Sequence, residues 1–190
     1  MHDHLKSALA KLYIHSDEQI QSVAERIIQR SLRRHEILLS PPSVSNFVGL
    51  VLQGSLRMYR PASETVGENT IHFFTEGDWI ADFDSFVVQQ PTQHYIQAME
   101  RSELATLSIH DLHALIRQNE LYMALGRIMK DWNVTASRYT SLINDSPDKR
   151  YQTLIETHPD WILRFPQMHL ASYLGMTRET FSRVRRRAIN

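Results

Sequence analysis

The chain has 190 residues, 42% hydrophobic and 22% charged, enough apolar content for a core and too mixed in charge for global disorder. It has no cysteine, which excludes disulfides, a thiol nucleophile and a cysteine-held iron–sulfur cluster. No apolar run reaches the ~20 residues of a membrane span, and Met1-His2-Asp3-His4 lacks the basic-then-apolar order of a signal peptide, so the expected location is cytoplasmic. The formal net charge is zero, yet residues 146–190 hold eight Lys or Arg against four acids, and the remainder holds 13 against 17. A +4 segment on an acidic body suggests a polyanion partner at one end; a solvated charged tail is the plainer alternative.

His2 and His4 sit at a terminus expected to be mobile. Ser16 then offers an N-cap with Gln19 three residues on, and Ile20, Val23, Ala24, Ile27 and Ile28 follow at helical spacing. That helix must end before Pro41-Pro42. Residues 37–108 change character. Short apolar runs at Phe47–Leu52, Leu56–Tyr59, Thr70–Phe74, Trp79–Phe83, Tyr95–Met99 and Leu104–Ile109 alternate with turn signals. Those signals are Gln53-Gly54-Ser55, a loop over Pro61–Asn69, Glu76-Gly77-Asp78 and Gln89-Gln90-Pro91. Strands this short predict a β-sandwich or barrel, with a hairpin turn at Gln53-Gly54.

Residues 111–143 return to helix. Leu112, Leu115 and Ile116 form a short stripe. A longer one follows through Leu121, Leu125, Ile128 or Met129, Trp132, Ala136, Tyr139 and Ile143, with steps of three and four over about six turns. Such a helix is too long to bury its stripe on one small domain. A coiled-coil-like contact with a second copy is one reading and packing on its own sandwich is the other. Asp145-Ser146-Pro147 breaks the pattern as a hinge would.

From about residue 164 to 188 the spacing predicts two helices around a Gly turn. Leu170, Ala171 and Leu174 make an apolar face, and Ala171 is small where helices approach closely. Gly175 ends the first helix, and Thr177 caps the second. Phe181, Val184 and Ala188 fall on a side to be buried. Arg178, Ser182 and Arg186 fall opposite, flanked by Glu179 and Arg183. Arg can bind guanine O6 and N7 with two donors, and Glu can accept from the cytosine amino group. Arg178, Glu179, Ser182 and Arg183 are therefore the candidate base-reading residues. Gln167, Thr177 and Arg186 are the candidate phosphate contacts, with Arg185 and Arg187 adding nonspecific affinity.

These residues carry a resemblance. Leu170-Ala171, Leu174-Gly175-Met176-Thr177-Arg178-Glu179-Thr180 and Ser182-Arg183 resemble the helix-turn-helix of Crp/Fnr-type bacterial transcription regulators, whose base-reading set falls on Arg178, Glu179 and Arg183. Upstream, Gly54-Ser55 and Glu76-Gly77-Asp78-Trp79-Ile80 resemble the family's cyclic-nucleotide-binding β-roll, and the helix to about Ile143 resembles its dimerisation helix. The resemblance implies an α+β chain in three parts: a jelly-roll-like β-roll sensor over 1–115, a dimerisation helix over 116–145 and a DNA-binding domain over 146–190. It implies double-stranded DNA and a second copy of the chain as partners, with RNA polymerase a further candidate, and no enzymatic activity.

The sequence departs from the cyclic-nucleotide pattern. Where the family carries Gly-Glu for the ribose and Arg-Ser/Thr for the phosphate, this chain reads Ala81-Asp82 and Thr92-Gln93. The phosphate has lost its bidentate cation. The expected effector is thus not cAMP or cGMP but an unknown small molecule or none, its candidate pocket formed by Asp82, Phe83, Thr92 and Thr135. The sequence given ends at Asn190, so contacts from a β-wing after the recognition helix are not expected. No cofactor and no metal site are expected: His72 and His94 fall on different strands, and His110 and His113 lack a third ligand. Asp78, Asp82 and Asp84 read as a solvated loop, and Trp79, Phe83 and Phe86 as core or the wall of a small apolar pocket. A cupin-like small-molecule-binding or metal-dependent enzyme is the alternative function.

Overall fold

The computed structural model describes residues 2–11, 14, 16–61, 67–117, 126–128 and 145–189. The chain divides into two compact units. One takes residues 1–58 and 73–133; the other takes 59–72 and 134–190.

The first unit opens with α1 (His2–Lys11) and α2 (Asp17–Ala24), followed by β1 (Ile28–Leu32), β2 (Ile37–Leu39) and β3 (Phe47–Gln53). Next come β4 (Leu56–Pro61) and β5 (Glu68–Phe74), whose outer parts belong to the second unit, then β6 (Trp79–Ile80), α3 (Phe83–Val88), β7 (Tyr95–Ala98), β8 (Ser102–Ser108) and α4 (Ile109–Arg117). The strands form two four-stranded sheets, ordered β1-β8-β3-β6 and β2-β7-β4-β5; the short runs predicted a sandwich or barrel, and the resemblance implied this β-roll. Gly54 makes the β3–β4 turn at φ +87°. A Cβ there would lie 2.5 Å from the Arg101 carbonyl oxygen, so only glycine fits. The core gathers Leu5, Ala8 and Leu9 of α1, Ile20 and Val23 of α2, and Val48, Leu50, Ala105 and Leu107 of the sheet, under Leu112 and Leu115 of α4. Each such side chain contributes about 1.5–3 kcal/mol by leaving water.

Three elements differ from the sequence reading. The terminus bearing His2 and His4 is helical, because Leu5, Ala8 and Leu9 have a core to pack against. The helix after Ser16 stops at Ala24, and Ser16 makes no side-chain cap bond. Ile28, read as helical, instead pairs with Thr106 at the start of β1 and is 55% exposed. The run Trp79–Phe83 is strand only at Trp79 and Ile80, which pair with Leu50 and Gly49. Asp82 then caps α3 and turns the chain into helix at Phe83. Helix begins at Ile109, and residues 126–128 are helical, with Ile128 buried. The rest of the long stripe, from Leu121 and Leu125 through Met129, Trp132, Ala136, Tyr139 and Ile143, lies outside the described residues.

The second unit is built from α5 (Pro147–Thr157), α6 (Trp161–Arg164), α7 (Gln167–Tyr173) and α8 (Arg178–Ile189), together with residues 59–72 of the β4–β5 arm. Ser146 caps α5, its Oγ accepting from the Lys149 N–H, and Pro147 occupies the first turn, where no N–H is missed. Trp161 is the hub of the core. His158 stacks on it at 3.9 Å between centroids, and Phe165, Tyr173 and His72 meet it edge-on at 5.8, 5.5 and 5.9 Å. The arm is bonded to α7 through one side chain: Ser172 Oγ donates to the Glu68 carbonyl at 2.7 Å and accepts from the Thr70 N–H at 2.9 Å. His72 lies deep enough that burial, and then the neighbouring His158, lower its pKa from 6.5 to about 3.

Candidate nucleic-acid interface

Helices α7 and α8 are joined by the turn that the Gly-Met-Thr text predicts. Leu170, Ala171 and Leu174 are buried, and Gly175 takes φ +62°. Arg150, on α5, locks this turn from behind. Its Nη1 donates to the carbonyls of Leu174 at 2.9 Å and Gly175 at 3.2 Å, and its Nε donates to the Asp145 carbonyl. Thr177 caps α8, its Oγ1 accepting from the Thr180 N–H at 3.2 Å. The helix is fixed by Phe181 and Val184, both at most 1% exposed, with Phe181 edge-on to Tyr151. Ala188, expected on the same buried stripe, faces solvent. The helix outruns the apolar surface that α5 and α7 offer it.

Pinning Phe181 and Val184 inward turns the other face out. Arg178, Glu179, Ser182, Arg183 and Arg186 are all exposed. Gln167 and Thr177 are exposed as well, at the starts of their helices. Glu179 sits in the first turn, where its own backbone N–H and then the Thr177 side chain hold its carboxyl below the ordinary value. It is an ionised acceptor beside Arg178. Three of the eight cations of residues 146–190 serve the fold instead: Arg150 in the turn, Lys149 on Asp145 at 2.8 Å, and Arg187 on Asp148 at 2.7 Å. The sequence alone did not separate these from the outward-facing set.

The candidate effector residues are arranged differently. Asp82, 1% exposed, accepts from the Ser85 N–H as the cap of α3 and from the Thr92 hydroxyl. His94 Nδ1 lies 3.1 Å from the same carboxylate oxygen. Burial disfavours the charged carboxylate, but the hydrogen bonds from His94 and Thr92 outweigh it and keep the pKa below the ordinary value. Thr92 is anchored through its own N–H on Ser43 O at 2.8 Å. Phe83 does not join them: it packs in the hydrophobic core, edge-on to Phe86 at 6.3 Å. Thr135 lies outside the described residues. His94, which the sequence reading considered as a metal ligand and set aside, is the residue that completes the group. A Thr-x-His spacing is too common to flag it.

Among the described residues no three His, Asp or Glu side chains are grouped as a metal ion needs, and no helix is long and apolar enough to cross a membrane.

The architecture is that of a β-roll followed by a helix-turn-helix. Residues 29–119 match the cyclic nucleotide-binding domain family. Solved structures agree over most of the chain. The c-di-GMP-responsive global regulator CLP of Xanthomonas campestris matches with a TM-score of 0.72 at 16% identity, over 91% of each chain. FixK2 of Bradyrhizobium japonicum gives 0.70 at 17%, over 85% of this chain and 83% of its own. A structure from Eubacterium rectale, described as a regulator of the Crp/Fnr family, gives 0.68 at 16%, over 90% and 82%. No curated protein sequence matches the chain. Residues 29–119 thus match a cyclic nucleotide-binding domain, and the chain shares its fold with solved structures that include a global regulator and a regulator described as of the Crp/Fnr family.

Proposed function

We propose that this chain is a cytoplasmic, sequence-specific DNA-binding transcription regulator that acts as a homodimer. The observation that carries the reading is the outer face of α8. Arg178, Glu179, Ser182 and Arg183 stand exposed on a helix that buries Phe181 and Val184 on its opposite side and whose entry turn is clamped by Arg150. Arg178 and Arg183 read guanines by bidentate donation, and Glu179, held ionised, accepts from a cytosine amino group. Gln167, Thr177 and Arg186 set register on phosphates. Two copies, joined through residues 116–145, place two recognition helices in successive major grooves about 34 Å apart and so select a near-palindrome.

Cyclic AMP is not the effector on this reading. A cyclic phosphate brought to the Ala81-Asp82 and Thr92 region meets a buried carboxylate already satisfied by Thr92, His94 and Ser85. Any effector must bind one arrangement of the dimer better than the other, since equal affinity shifts nothing.

The test is selection of bound duplexes from a random library at fixed salt, with and without cAMP. The expected result is one two-armed palindrome carrying guanines, enriched equally in both conditions. Enrichment only with cAMP would refute the effector reading, and failure to enrich any sequence would refute sequence-specific binding by the protein as purified.

A further inference from the structure

The β-roll carries a second concentration of unspent positive charge, away from α8 in sequence and in the other unit. Antiparallel pairing of β1 with β8 ends at Leu32 opposite Ser102. One step further, the same register sets Arg33 across from Arg101. Like charges across a strand pair repel, so this juxtaposition costs stability unless an anion joins them.

The two turns that hold these residues are fixed. In the β1–β2 turn the Glu36 N–H donates to the Arg33 carbonyl at 3.0 Å, and His35 takes φ +69°, in the left-handed region that histidine enters more readily than most side chains. The turn is fastened to β7. His35 N–H donates to Ala98 O at 2.8 Å, Ala98 N–H to Glu36 O at 2.9 Å, and the Gln97 side-chain amide to His35 O at 3.0 Å. Arg101 follows in the β7–β8 turn, where Met99 N–H donates to Ser55 O at 2.8 Å. Two of the nearby acids are drawn into the fold, while Glu103 pairs opposite Ser31. Glu36 Oε2 accepts from the Arg33 backbone N–H at 3.0 Å, and Glu100 accepts from the Ser55 hydroxyl at 2.5 Å.

Between the turns lies an open groove of about 750 Å³, lined by Ser31, Leu32, Arg33, Arg34, Glu36 and Arg101. Three guanidinium groups against one carboxylate leave it at +2. Arg33, Arg34 and Arg101 are all exposed, and none enters an ion pair with a described residue. The volume is within the range of small-molecule sites. The planar fork of donors on each Arg matches a phosphoryl group, and three of them suit several phosphoryl groups better than one.

We propose that this groove binds a multiply phosphorylated small molecule, at a site separate from the Asp82–Thr92–His94 group. Arg33 and Arg101 bridge one phosphoryl group, and Arg34 takes the next. Binding removes the repulsion between the paired arginines and needs no rearrangement of either turn.

The experiment is titration calorimetry of the full chain with inorganic tripolyphosphate at 0.15 M NaCl, where weak surface attraction is largely screened. Orthophosphate is titrated alongside. Tripolyphosphate is expected to bind at one site per chain, at least tenfold more tightly than orthophosphate. The triple variant R33A/R34A/R101A is expected to lose at least tenfold in that affinity while keeping its circular dichroism spectrum. The variant R178A/R183A/R186A, on α8, is expected to bind as the unaltered protein does. Because the triple variant could disturb the turns, R101E alone serves as a second check and should also lose at least tenfold. No binding to the unaltered protein, binding that survives R33A/R34A/R101A and R101E, loss confined to the α8 variant, or equal affinity for orthophosphate would each overturn the proposal.

Discussion

The two places where this chain concentrates charged and polar side chains solve opposite problems. On α8 the burial of Phe181 and Val184 leaves Arg178, Glu179, Ser182 and Arg183 facing water. Between residues 82 and 94, the carboxylate of Asp82 is turned inward and answered by Ser85, Thr92 and His94. Where polar groups are satisfied within the chain they specify its shape; where they are left to solvent they remain able to bind something else. Substitutions at the two places should separate accordingly, the first changing what is bound and the second changing whether the chain folds.

The largest expected effect tests the inward group. Asp82→Ala leaves the His94 ring and the Ser85 N–H without their carboxylate partner and removes the main acceptor of the Thr92 hydroxyl, and should lower folding stability by about 3 kcal/mol. Urea unfolding monitored by circular dichroism measures this. A loss under 1 kcal/mol would mean that the group is not structural. Next is the outward group. Arg183→Ala should weaken binding to the selected duplex by about 1–3 kcal/mol and relax preference at one base position, with stability within about 0.5 kcal/mol of the parent. An unchanged preference profile would remove Arg183 from base reading.

A third test uses pH. His72 stays neutral in the folded chain down to about pH 3, whereas an unfolded histidine takes its proton near 6.5. The unfolded state therefore binds more protons between those values. The stability is present above about 6.5 and is lost as pH falls, by at most about 1.4 kcal/mol per pH unit. Comparing urea midpoints at pH 7, 6 and 5 in the parent and in His72→Phe should show a steeper decline in the parent. Equal slopes would place the titration elsewhere. The pKa of Asp82 is lowered from an already acidic value, so its own loss of stability begins below this window. The smallest effect is at the cap of α8. Thr177→Ala removes the acceptor of the Thr180 N–H and should cost about 1 kcal/mol of stability, read as a lower melting temperature.

Legibility in the sequence followed the range of the interactions. The turn at Gly175, the cap at Thr177 and the buried Phe181 and Val184 are decided by neighbours within a few residues, so spacing alone revealed them. So was the Gly54 turn, whose positive φ leaves little choice of residue. The end of the first long helix was misread because Ile28 continues the helical spacing yet is taken by β8, which lies far along the chain. The Trp79–Phe83 strand failed for a local reason. Asp82 is an N-cap, and the apolar residues after it suit helix as well as strand. The association of Asp82 with His94 and the turn-locking role of Arg150 could not be read, since each depends on residues brought together only by the fold.

On the proposed DNA-binding function, Arg150 has a consequence for the speed of encounter. Because its guanidinium already holds the carbonyls of Leu174 and Gly175, the angle between α7 and α8 is set before any duplex arrives. Little ordering entropy remains to be lost at the moment of contact. Association should then proceed at a rate governed by diffusion and charge steering, with differences among operators appearing in how long each complex lasts.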